Sequence, residues 1–123
     1  RIDKVIEMFP KLGEFLHRKA GTLSGGERRM LAIAMGLMKN PKVMLLDEIT
    51  TDLAPVIVKK VLEKIVELRN TLKITIVLVE QHARRALEIS DKAYLLVSGT
   101  IKYEGSPQGL LENEELAKLY LGL

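Results

Sequence analysis

Cysteine is absent from all 123 residues, which excludes a disulfide scaffold, a thiol nucleophile and any cysteine-ligated metal. Long apolar runs are absent too. The longest, Met30 to Met38, has nine residues between Arg29 and Lys39, whereas a membrane-crossing helix needs roughly 20. Neither sign of charge dominates: nineteen Lys and Arg stand against sixteen Asp and Glu, interspersed along the chain. The net charge of +3 therefore gives little support to nucleic-acid binding. Neither an initiator Met nor a signal peptide opens the sequence, and Arg1 runs straight into a helical pattern, as expected of a chain cut from something longer. What is present is a globular composition, 47% apolar and 28% charged. It is too hydrophobic for a disordered tail and long enough for one compact domain or part of a larger one.

Ile2, Val5, Ile6 and Phe9 recur at helical spacing before Pro10, and a second stretch, Lys11 to Lys19, is interrupted by Gly13. Two short helices are expected. After a loop at Ala20 to Leu23, Ser24 starts a long helix that should end near Lys39, where Asn40 and Pro41 stop it. Its second half is apolar on every side, which predicts burial on most faces, with Met30, Met35 and Met38 as core filler. Val43 to Leu46, ending in Asp47 and Glu48, reads as a strand buried on both faces of a parallel sheet. Pro55 suits a first helical position, and Ile57, Val58, Val61, Leu62, Ile65 and Leu68 carry that helix to about Asn70. Ile74 to Val79 is a second strand, followed by Glu80, Gln81 and a helix carrying Ala83, Ala86, Leu87 and Ile89. Ala93 to Val97, the pair Ser98 and Gly99, and Thr100 to Tyr103 predict a β-hairpin, and Leu110 to Leu121 a closing helix. Strands separated by helices give an α/β fold with a mostly parallel sheet, a helical lobe before it and a hairpin at its end.

Two segments carry chemistry. In Leu23-Ser24-Gly25-Gly26-Glu27 the Ser and Glu have the capping-box spacing, but capping does not explain two glycines in a first helical turn. Each costs about 1 kcal/mol of helix stability relative to Ala. Glycines let a ligand approach the backbone, and a helix N-terminus offers unpaired N–H groups to a phosphate. In Val43-Met44-Leu45-Leu46-Asp47-Glu48 a strand delivers adjacent carboxylates at its C-terminal edge, where ligands bind in open α/β sheets. One can hold Mg²⁺ through water while its neighbour orients or deprotonates an attacking water. A solvated acidic turn capping the next helix is the alternative for that segment taken alone.

Together the two segments resemble the ATP-binding cassette (ABC) ATPases, whose LSGGE signature precedes an apolar Walker B strand ending in Asp-Glu; here Glu27 precedes Asp47 by twenty residues. The resemblance covers essentially the whole chain. It implies an α/β fold that is the C-terminal part of a P-loop NTPase, RecA-like with a mostly parallel sheet, preceded by an α-helical signature subdomain. Residues 1–39 would be that subdomain, and residues 40–123 the C-terminal part of the ATPase core, with Walker B, D-loop, switch region, hairpin and closing helices. Within the family, Ala20-Gly21-Thr22, Leu53-Ala54-Pro55, Val79-Glu80-Gln81 and Tyr120-Leu121-Gly122 look like the branched-chain amino acid transporter subunits.

The resemblance implies that Leu23, Ser24, Gly25, Gly26 and Glu27 meet the phosphates of an ATP held by the opposite subunit of a head-to-tail dimer, homo- or heterodimeric. Asp47 would hold Mg²⁺ through water, Glu48 would be the general base, and Thr51, Asp52 and Leu53 would belong to the D-loop facing the partner. The switch histidine of the family aligns with Gln81, leaving His82 one place beyond it. If that segment is extended, the two side chains point to opposite sides and only one can face the phosphate. Ile49 stands where Pro usually follows the catalytic Glu, and Ala54 where many members have Asp; the Ala is shared with the branched-chain subfamily, whereas the Ile is not and bears on the turn after Glu48. No GxxxxGK[ST] string occurs, so the Walker A nest and its Lys are expected from outside the chain. As an importer ATPase at the inner face of the cell membrane, the complete protein would work with transmembrane permease subunits and no nucleic acid. DNA-repair and chromosome-organising ATPases share both motifs, but they carry a long heptad coiled coil that residues 1–23 lack. A non-catalytic binding fragment is the remaining alternative. His17 and the doublets Arg28-Arg29 and Arg84-Arg85 read as solvated surface.

Overall fold

A computed structural model describes residues 1–122, which divide into two compact units, residues 1–79 and the described residues from Glu80 onward. The first unit opens with the short helices α1 (Ile2–Met8) and α2 (Pro10–Gly13), Pro10 opening the latter and Gly13 closing it. The stretch after Gly13 forms turns rather than the longer helix that its pattern suggests. A 3₁₀ turn at Ala20–Thr22 leads into α3 (Gly25–Leu37), then β1 (Val43–Asp47), α4 (Pro55–Leu72) and β2 (Thr75–Val79).

Helix α4 holds the unit together. Val58, Val61, Leu62, Ile65 and Leu68 recur at spacings of three and four, and all are buried. Each such side chain contributes about 1.5–3 kcal/mol on burial. The helix stops at Lys73, whose left-handed φ of 56° lets its N–H bond back to the Arg69 carbonyl at 3.0 Å.

Strands β1 and β2 pair in parallel, with Val43 opposite Thr75 and Asp47 opposite Val79. Met44 and Leu46 are buried, and the Met44 side chain reaches Gly36 of α3. The opposite face is bare, contrary to the expectation of burial on both faces: Val43, Leu45, Val77 and Val79 are exposed, Leu45 at 76%. A continuous apolar run identifies a strand made for two covered faces, but only one of the covers lies within the first unit. Helix α3 departs from expectation for the same reason. Only Ile33, Ala34 and Leu37 are buried, while Met35 is 63% exposed and Met30 and Met38 are half-buried. The methionines are therefore not core filler among the described residues.

The second unit contains α5 (Ala83–Ile89), the antiparallel hairpin β3 (Ala93–Val97) and β4 (Thr100–Gly105), α6 (Pro107–Glu112), α7 (Glu114–Leu116) and a closing π-helical turn at Ala117–Leu121. Ser98 and Gly99 both have positive φ, 48° and 79°, the signature of the primed turn that matches strand twist. Leu87, Ala93 and Leu110 form its core, with Leu95 and Tyr103 packed against them. The Tyr103 hydroxyl donates to the Ser106 carbonyl at 2.7 Å and ties β4 to the start of α6.

Candidate functional site

Ser24 precedes α3 in extended conformation and builds a complete capping box. The Glu27 N–H donates to Ser24 Oγ at 3.2 Å, and the Ser24 N–H donates to Glu27 Oε1 at 2.9 Å. The hydrogen bond from the Ser24 backbone holds the Glu27 carboxyl below its usual value; burial opposes this, while the Ser24 hydroxyl, Lys11 and Arg18 reinforce it. Of the first-turn donors, that leaves the N–H groups of Gly25 and Gly26, which no residue four back in the helix can accept. They point from the positive end of a thirteen-residue helix.

The two glycines also have a structural cause that the sequence did not disclose. A Cβ on Gly25 would stand 3.1 Å from Leu53, and one on Gly26 only 2.6 Å from the Ile57 side chain. Part of the helix-propensity cost is thus offset by close packing of α3 on the segment that follows β1. Both causes act on the same turn: side-chain packing on one side and free N–H groups along the axis.

The segment after β1 carries the carboxylates. Asp47 is exposed at the C-terminal end of the strand, the edge at which open α/β sheets bind ligands. Glu48 leaves the extended conformation altogether. Its φ is 49°, and its N–H donates to the Val79 carbonyl at 2.8 Å, continuing the β1–β2 pairing one step further. A left-handed conformation costs a non-glycine residue about 1–2 kcal/mol, and it breaks the strand alternation that would otherwise fix the direction of the side chain. Ile49 does not prevent the turn: the Thr51 N–H reaches the Glu48 carbonyl at 3.3 Å. Thr50 is wholly buried, and Asp52 again has positive φ, 63°.

The signature turn and the D-loop segment are thus brought together within the first unit, through Gly25 and Leu53 and through Arg29, which donates to the Thr51 carbonyl at 3.3 Å. Arg29 is therefore not the solvated surface charge that its doublet suggested; Arg28, Arg84 and His17 are exposed as expected. Neither Thr50 nor the Arg29 contact was anticipated. A lone Thr and a lone Arg carry no spacing signal, and only the fold pairs them with the turn.

Gln81 and His82 belong to the second unit. The strand ends at Val79, Gln81 forms a bend, and His82 caps α5 with φ −75° and ψ 69°. The segment is not extended, so alternation does not set these two side chains on opposite sides; both are exposed.

Among the described residues no group of three or more metal-binding side chains occurs. The exposed Asp47 carboxylate is an oxygen donor of the kind Mg²⁺ takes one or two of, beside substrate phosphates and water. No helix among the described residues is long and apolar enough to cross a membrane.

The chain is similar to known proteins over its whole length. The family model described as ABC transporter matches residues 1–51. The chain is 51% identical over 123 residues, all of its length and 52% of the relative's, to a probable branched-chain amino acid transport ATP-binding protein, LivF, of Archaeoglobus fulgidus. It is 45% identical over 122 residues, 99% of its length and 52% of the relative's, to the high-affinity branched-chain amino acid transport ATP-binding protein BraG of Pseudomonas aeruginosa. The solved ADP conformation of MJ1267, an ATP-binding cassette of an ABC transporter, superposes with a TM-score of 0.84 at 30% identity, over 98% of this chain and 48% of that one. The chain spans about half the length of the curated relatives it matches.

Proposed function

We propose that the chain, which is similar over its whole length to ABC transporter ATP-binding proteins, forms the signature and Walker B half of an ATP-hydrolysing importer subunit. The observation that carries this reading is the turn 24–27. Its capping box occupies the Ser24 and Glu27 N–H groups and leaves those of Gly25 and Gly26 facing outward at a helix N-terminus. Those donors are suited to the γ-phosphate of an ATP bound on an opposing subunit, in a head-to-tail dimer. Asp47 would hold Mg²⁺, which when bound draws charge from the β- and γ-phosphates. Glu48 takes the proton of the attacking water, and Gln81 positions that water or the phosphate through its amide. Thr51, Asp52 and Leu53 present the D-loop to the partner.

The bare face of the β1–β2 sheet fits a cassette completed by a phosphate-loop half, since parallel sheets are stable when both faces are covered. The relatives' names favour branched-chain amino acids as cargo, and this reading docks the complete subunit on a transmembrane permease at the cytoplasmic face.

Two experiments test the assignment in the complete ATPase. Ser24→Arg should abolish ATP-driven dimerisation measured by light scattering, because a long cationic side chain blocks approach to the Gly25 and Gly26 donors. Equal dimerisation by wild type and Ser24→Arg refutes contact in trans. In steady-state kinetics Gln81→Ala should lower kcat strongly, while His82→Ala changes it by less than about threefold. The reverse ranking makes His82 the switch residue.

A further inference from the structure

Thr50 is the most completely enclosed polar side chain in the site segment, with 0% of its surface exposed, and its Oγ1 has no hydrogen-bond partner among the described residues. A buried hydroxyl without a partner is destabilising, and valine, of nearly the same shape, would avoid the penalty. The position nevertheless carries threonine. It also lies between two non-glycine residues held in left-handed conformation, Glu48 at φ 49° and Asp52 at φ 63°. Three unfavourable features within five residues are what a functional turn stores, not what a connecting turn tolerates.

The turn's own fastenings are weak. Thr51 N–H to Glu48 carbonyl, Leu53 N–H to Thr50 carbonyl and Arg29 to Thr51 carbonyl are all 3.3 Å, at the long end for such bonds. Thr50 is the residue whose side chain is best placed to tighten it, because it is immobilised by burial and its β-branched χ1 is stiff.

We propose that Thr50 is a positioning residue of the ATP site: its hydroxyl gains a hydrogen-bond partner only when the nucleotide-loaded cassette is assembled, and that bond locks the turn 48–52 and the aim of Glu48. The proposal rests on the reading of Glu48 as the general base. It predicts a separation of stability from turnover that a packing residue would not show.

The test compares Thr50→Val, Thr50→Ser and Glu48→Gln in the complete ATPase, measuring nucleotide-free Tm, kcat and KM for ATP. Thr50→Val should keep or raise Tm, lower kcat by about tenfold or more and leave KM within about twofold. Thr50→Ser, which restores the hydroxyl, should recover kcat to within about threefold of wild type. The proposal is overturned if Thr50→Val keeps kcat within about twofold, if its Tm falls, or if Ser rescues no better than Val. A Glu48→Gln enzyme that still turns over would bring down the reading of Glu48 and this proposal with it; loss of turnover in Glu48→Gln beside an active Thr50→Val removes the proposal alone.

Discussion

Glu48→Gln in the complete ATPase is expected to bind nucleotide as the wild type does and to lose between 10²- and 10⁴-fold in turnover. The substitution isolates chemistry because the backbone bonds that shape the turn do not involve the carboxylate. The φ of 49°, the N–H donated to Val79 and the carbonyl that accepts from Thr51 are unaffected by exchanging a carboxylate for an amide. Gln has the same length and bears the same left-handed cost, so the turn persists while its side chain can no longer accept a proton at neutral pH. Nucleotide affinity by fluorescence titration and hydrolysis in a single turnover separate the two effects. A loss of only about twofold would show that Glu48 is not the base.

Much of this site is legible in the sequence because its parts are local. The Ser24–Glu27 spacing announces the capping box, and the structure forms both of its bonds. The apolar run Val43 to Leu46 and the β-branched run Ile74 to Val79 announce β1 and β2, and Pro55 with the spacing from Ile57 to Leu68 announces α4. Ser98-Gly99 announces the hairpin turn. What could not be read is how elements meet. The pattern of Val43 to Leu46 states that two faces want cover without stating whether the cover belongs to the same chain, and Leu45 at 76% exposed is the result. The same ambiguity left Met35 outside the core that its all-apolar helix suggested. The closeness of Gly26 to Ile57, and of Arg29 to the Thr51 carbonyl, joins residues more than twenty positions apart through a packing geometry that no periodicity encodes. The bend at Gln81 begins two residues after the strand ends, too fine a boundary for a pattern argument to set.

ATP hydrolysis by these residues alone, and by the same chain mixed with a phosphate-loop half, tests the central claim most directly. On the proposed reading the signature turn and the Asp47-Glu48 edge would each provide part of a site, but the sequence contains no GxxxxGK[ST] nest to cradle the β- and γ-phosphates and no Lys placed to neutralise them. Without that cradle there is nothing to hold the γ-phosphate in line with water at Glu48, and positioning with electrostatic stabilisation accounts for almost all of the catalysis in phosphoryl transfer. The bare β1–β2 face provides the surface on which a complementary half can seat. Turnover at background for the chain alone, appearing on addition of the complementary half and vanishing again with Glu48→Gln, is the predicted result; appreciable hydrolysis by the 123 residues alone, after removal of contaminating ATPases, would contradict it.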